Sequence, residues 1–302
     1  MSTRSGSSVR LTLLTAVAPS VWGTSYVVST ELLPADRPLF GAAVRALPAG
    51  LVAVALARRL PHGDWWWRAA VLGTLNIGAF FALLFVAAYR LPGGVGSTLG
   101  GVSPLLVAGL GYVLLADTPT RWRLGWGLAG LIGVALMALT AQAALDPVGL
   151  AAGLLAVLSM ATGVVLTRRW GRPAGPLAFA GWQLTAGGLL LAPLALLAEG
   201  GPPPVDAQAV AGYLWLGLVG TLLAYALWFD GIGRLPLASV SFLPLLAPAV
   251  ATMLGWVVAG ETLTGLQAAG FALALSANAA AQLPPRPILR RAQPVGAPCA
   301  SC

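Results

Sequence analysis

The chain has 302 residues, 58% of them hydrophobic and only 9% charged, with a mean hydropathy of +0.85. Soluble globular chains carry about 25% charged residues, so a water-soluble enzyme is excluded and a polytopic membrane protein is expected. The net charge of +8 does not mark a nucleic-acid binder, because all seventeen cations are arginines spread in ones, twos and threes between apolar runs rather than gathered into a basic stripe.

A membrane-spanning helix needs about 20 apolar residues. Ten such runs follow one another, near 11–30, 39–57, 66–88, 94–115, 123–141, 148–167, 177–198, 209–230, 238–259 and 264–282, with short loops and no room for a soluble domain. The first follows Arg4 and Arg10 as a signal peptide would. It is longer than an h-region and lacks an A-x-A site, so it reads as an uncleaved helix, and it carries Trp22 and Tyr26. The second holds Arg45, and the third holds Asn76, Phe80, Phe81 and Phe85. Pro104 lies in the fourth run, Trp182 and Gln183 in the seventh, and Tyr225 and Trp228 in the eighth. The eighth ends at Asp230, four residues before Arg234, and the ninth contains Pro244 and Pro248. Of the 38 glycines and 23 prolines, 27 glycines and six prolines sit within these runs, which membrane helices tolerate because neighbouring helices satisfy the freed backbone groups. Beyond the tenth run, residues 284–302 read as a disordered cytoplasmic tail holding both cysteines, Cys299 and Cys302. Their C-x-x-C spacing has no βαβ context and supports no disulfide framework. Neither a cofactor nor a metal is expected.

With the N-terminus inside, fourteen arginines fall on cytoplasmic segments and two, Arg37 and Arg90, on the opposite side, while Arg45 lies within a span. That bias orients the chain with both termini cytoplasmic. Six of the nine acidic residues (Glu31, Asp36, Asp146, Glu199, Asp206 and Glu261) fall outside, and Trp65, Trp66, Trp67, Trp122 and Trp170 gather at the inner boundary, where indoles anchor helices.

The sequence also resembles itself. R-L-P at 90–92 returns at 234–236, and the same offset of 144 pairs Pro104 with Pro248 and A-D-T-P-T (116–120) with G-E-T-L-T (260–264). Over residues 90–120, eleven of 31 positions are identical at this offset. P-L at 38–39 matches P-L at 176–177 with an offset of 138, and the longer 199–208 loop absorbs the difference. Each repeat holds five spans, an odd number, which places the second upside down relative to the first, as in many secondary transporters. The units are residues 11–142 and 148–283. The fold class expected is therefore an all-α polytopic membrane protein of ten helices in two inverted five-helix repeats around a central cavity.

Several motifs carry a family resemblance. W-G-T-S-Y (22–26), P-L-F-G-A-A-V-R-A-L (38–47) and G-E-T-L-T (260–264) resemble signatures of the EamA branch of the drug/metabolite transporter superfamily; within it, the aromatic interior resembles aromatic amino-acid exporters of the YddG type. The first-half counterpart of the last motif departs from the pattern, with Asp117 where Glu is usual. The resemblance implies ten helices in a basket, with helices 1–4 and 6–9 around the cavity and 5 and 10 peripheral. It also implies export of amino acids and related small metabolites across a bacterial inner membrane, by a monomer or homodimer in contact with lipid and without nucleic acid.

An arginine inside a span faces a cavity or a partner. Arg45 accordingly has two readings, a dock for a substrate carboxylate or a salt bridge to Glu31, Asp36 or Glu261, and its repeat counterpart is the neutral Gln183. Trp22, Tyr26, Phe80, Phe81, Phe85, Trp182, Tyr225 and Trp228 lie on the helices that the resemblance places around the cavity. There they either stack on a substrate and face its ammonium group or pack the core. Asn76 is equally a substrate contact or an interhelical hydrogen bond. Pro104, Pro244 and Pro248 are hinge candidates because each removes a backbone bond. Asp230 with Arg234 is either an inner gate or a solvated pair. The leading function is an amino-acid exporter of broad specificity working by alternating access. Efflux of organic cations or drugs is the alternative, weakened by the lack of a mid-membrane acid. An intramembrane enzyme is remote, since the one histidine, His62, lies in a loop away from any nucleophile.

Overall fold

A computed structural model describes residues 2–34, 37–90, 99–138, 146–258 and 264–283. Among them the chain is all helical. The helices are α1 (Ser2–Leu32), α2 (Pro38–Ala57), α3 (65–90), α4 (Ser103–Leu115), α5 (Arg121–Ala138), α6 (Pro147–Trp170), α7 (Pro176–Glu199), α8 (207–234), α9 (237–258) and α10 (Gly265–Gln282). Six are long and apolar enough to cross a bilayer: α2, α6 and α7 throughout, with Val9–Ser29 of α1, Trp65–Ala87 of α3 and Ala207–Arg234 of α8. The fourth, fifth and ninth predicted spans run into residues 91–98, 139–145 and 259–263, which lie outside the described ones. So do Asp36, Glu261, most of the G-E-T-L-T motif, the 284–302 tail with Cys299 and Cys302, and the side chain of Tyr26.

The helices start where local chemistry favours it. Proline occupies the first turn of α2, α6 and α7, where its missing N–H costs nothing. Asp146 caps α6 and Asp206 caps α8 through side-chain oxygens, and Thr264 with Gln267 forms a capping box on α10. The first turn of α2 is capped from a distance. Glu199, the last residue of α7, accepts from Leu39 N at 2.7 Å and Phe40 N at 2.8 Å, and Arg37 donates to the carbonyls of Glu199 and Gly201.

Three helices are interrupted. A π turn, Thr74–Gly78, breaks α3, and a longer one, Trp215–Leu223, breaks α8. The offset of 144 carries the first turn into the second. In α9 a 3-10 turn, Leu243–Leu245, surrounds Pro244. Pro104 stands in the first turn of α4, a site where proline removes no helical bond.

Helix packing follows one pattern. α2 packs on α7 and α5 on α10; α3 and α4 pack on α6, as α8 and α9 pack on α1. The α2–α7 contact is reciprocal: a Cβ on Gly50 would run into Thr185, and a Cβ on Gly188 into Leu47. Glycine is required at both because the backbones approach too closely for any side chain. The offset of 138 carries Gly50 to Gly188 and Leu47 to Thr185, so one contact maps onto the other.

Candidate functional site

The two π turns hold the centre of the bundle. A π turn widens the helix and disturbs its regular ladder, and such turns recur at functional sites. At the α8 turn, Arg45 of α2 donates from Nε to Thr221 Oγ1 at 2.9 Å and from Nη2 to the Gly220 carbonyl at 3.0 Å. Trp22 of α1 donates from Nε1 to that same carbonyl at 3.1 Å. At the α3 turn, Asn76 Nδ2 donates to Gln183 Oε1 of α7 at 2.8 Å, and Ser159 of α6 donates to the Leu75 carbonyl at 2.9 Å. The same offsets relate Arg45 to Gln183 and Asn76 to Gly220. The two turns are thus bound in corresponding ways, one by a cation and one by an amide.

Arg45 is only 8% exposed, and its guanidinium lies 5.0 Å over the Phe81 ring. Among the described residues its partners are a hydroxyl, a carbonyl and an arene, with no carboxylate; Asp36 and Glu261, two of the three proposed salt-bridge partners, lie outside those residues.

The aromatic side chains form two groups. Trp22 lies 5.1 Å from Tyr225 and 5.4 Å from Trp228, ring centre to ring centre, beside the Arg45 contact, while Phe80, Phe81 and Phe85 run along α3. Trp182 belongs to a second group with Trp65 and Phe179, and its Nε1 donates to the Arg59 carbonyl at the end of α2. Phe229, which no pattern singled out, joins the groups, touching Phe179 at 5.5 Å and Tyr225 at 5.8 Å. A continuous aromatic chain therefore runs from Trp65 to the Arg45 centre.

At the end of α8, Asp230 takes Arg234 at 2.9 Å and also Arg172 of the α6–α7 connection at 2.6 Å. Arg168 donates to the carbonyls of Ile232 and Gly233, satisfying the last turn of α8. Sequence reasoning missed Arg172. It missed Thr221 and Gly220 as well, because an acceptor that is a backbone carbonyl has no signature in the residue type.

Membrane-length apolar helices broken in mid-course, with a charge and amides buried at the breaks, define a membrane transporter rather than an inert anchor. The chain belongs to the EamA-like transporter family, which residues 10–139 and 147–279 each match; its members are carriers, not enzymes. It is 47% identical over 262 residues to Protein PecM of Dickeya dadantii, covering 86% of this chain and 88% of that one. A probable amino-acid metabolite efflux pump of Salmonella typhimurium is 27% identical over 271 residues, 85% of this chain and 89% of its own. A solved crystal structure superimposes with a TM-score of 0.78 over 91% of this chain and 96% of its own, at 23% identity. The chain is thus a multi-pass membrane transporter.

Proposed function

We propose that this protein is a secondary carrier of a bacterial inner membrane that exports amino acids, aromatic and small neutral ones, and related small metabolites by alternating access. The observation that carries the reading is Arg45, a buried cation bound, among the described residues, by neutral groups and set beside an aromatic cluster. A substrate carboxylate docks on the guanidinium and its body lies against Trp22, Tyr225, Trp228 and Phe81, whose faces accept apolar groups and, more weakly, an ammonium. A buried cation disfavours organic cations as substrates. The efflux pump named above, a relative of matching length, favours amino acids.

The architecture in this reading is ten helices in two inverted repeats, residues 11–142 and 148–283, with both termini cytoplasmic. The reciprocal Gly50 and Gly188 contacts support it, as do the corresponding π turns and the offset-related helix pairs. Each half then plays in one state the part the other plays in the next.

The test is counterflow of labelled phenylalanine and labelled serine in liposomes, with an organic dication as competitor. Saturable exchange insensitive to the dication is expected. Arg45→Ala lowers carboxylate flux far more than any cation flux. Dication uptake without amino-acid exchange overturns the substrate class.

A further inference from the structure

Arg45 is the only charged residue among the described buried ones. One Nη2 proton goes to Gly220 and the Nε proton to Thr221, and the Nη1 donors are uncommitted among the described residues. A guanidinium in a low-dielectric interior gains most from an acceptor that brings a negative charge in bidentate geometry.

The corresponding positions show what stands beside the guanidinium. In the first half, Gln183 is met by the side chain of Asn76. In the second half, the position corresponding to Asn76 is Gly220, which contributes only its carbonyl to Arg45. A Cβ there would lie 3.5 Å from Nη2. In the second half the guanidinium therefore stands where a side chain at position 220 would begin to touch it.

Charge balance then ranks the occupants. A monoanion brings Arg45 and its ligand to neutrality. A zwitterion brings an ammonium as well, and the described buried residues include no carboxylate to receive it, which leaves neutral oxygens and aromatic faces that do not balance its charge. A cation adds like charge. We infer that the Arg45–Gly220 site selects monoanionic carboxylates with an apolar body over zwitterionic amino acids, and that Gly220 determines this specificity by setting no side chain against the guanidinium. The inference rests on the carrier reading and narrows its substrate class.

Three ligands of one body test it: 3-phenylpropionate, phenylalanine and phenethylamine, respectively anionic, zwitterionic and cationic. Binding is read by calorimetry on the purified full chain in detergent, because the neutral form of a weak acid leaks through bilayers. 3-Phenylpropionate is expected to bind at least about tenfold more tightly than phenylalanine, a difference of about 1.4 kcal/mol, and phenethylamine not at all. Gly220→Asn, which copies the first half, and Arg45→Gln, which copies Gln183, each abolish that advantage. Gel filtration and melting curves show whether either variant folds, and the wild-type series stands without them. Phenylalanine binding as tightly as 3-phenylpropionate, or an anion preference that survives Arg45→Gln, overturns the inference. If phenylalanine exchanges in liposomes while the anion has no advantage, the inference falls and the carrier reading stands. Absence of binding by all three together with absence of exchange removes both.

Discussion

Asn76 gives one amide proton to Gln183, and its Oδ1, buried and without a hydrogen-bond partner among the described residues, lies against Gly163 of α6. A methyl group at position 163 would overlap that oxygen. Asn76 cannot retreat without breaking its bond to Gln183, and overpacking of this kind costs about 1–3 kcal/mol. Gly163→Ala is therefore expected to lower the melting temperature in detergent by several degrees. Asn76→Ala in the same chain should recover part of the loss, giving a double variant less damaged than the two single effects added together. Strictly additive losses would mean that the two residues do not share this contact. At this scale the sequence was partly legible. Arg45 is conspicuous because a charge inside an apolar run must have a reason, and the offset of 138 leads from it to Gln183. Gly220 and Thr221 have no such mark: one works through its backbone, the other as an ordinary hydroxyl in an apolar segment.

Asp146 shows how a helix end is set. It accepts from Gly149 N and Val148 N at the start of α6 and pairs with Arg90 at 3.2 Å. The Gly149 bond above all holds its carboxyl below the ordinary carboxylate range; desolvation, the next largest effect, opposes it, and the Val148 bond and the Arg90 guanidinium add to the lowering. A depressed native value makes the contribution fully present above the unfolded value of about 3.9. It fades as the pH falls through the native one. The melting temperature of the wild type should therefore exceed that of Asp146→Ala by a constant margin at neutral pH, and the margin should close below about pH 4. A margin unchanged at acid pH would show that the cap acts by shape and not by charge. The six membrane-length helices were legible to within a few residues because hydropathy dictates where a bilayer-crossing segment runs. The interruptions were less so. Pro244 announced its break, but the π turns at 74–78 and 215–223 contain no proline. They arise where Arg45, Trp22, Asn76 and Ser159 bind across helices, which only the assembled bundle supplies.

Two ionic contacts tie the bundle at corresponding places. Arg90 ends α3 and meets Asp146; Arg234, its counterpart at the offset of 144, ends α8 and shares Asp230 with Arg172. In the proposed topology the first lies at the outer face and the second at the inner one, and both are closed while Arg45, Tyr225 and Trp228 are buried between them. The inner contact is the better protected: the Arg172 and Asp230 side chains are 19% and 17% exposed, against 49% and 34% for Arg90 and Asp146. A charge pair gains strength as solvent is withdrawn, so the inner contact is the harder to open. Asp230→Asn keeps the shape of the side chain and removes both pairings. It is expected to raise amide exchange over residues 168–175 and 226–236, while exchange near residues 84–90 and 146–150 stays at the wild-type level or slows, because in alternating access one face closes as the other opens. Asp146→Asn should do the reverse and more weakly, since the contact it breaks is exposed and a surface pair contributes little. Hydrogen–deuterium exchange read by mass spectrometry in nanodiscs separates the outcomes. Faster exchange at both faces in both variants would mean that the two contacts only stiffen the bundle, and the reciprocal pattern would identify them as the closures between which the carrier alternates.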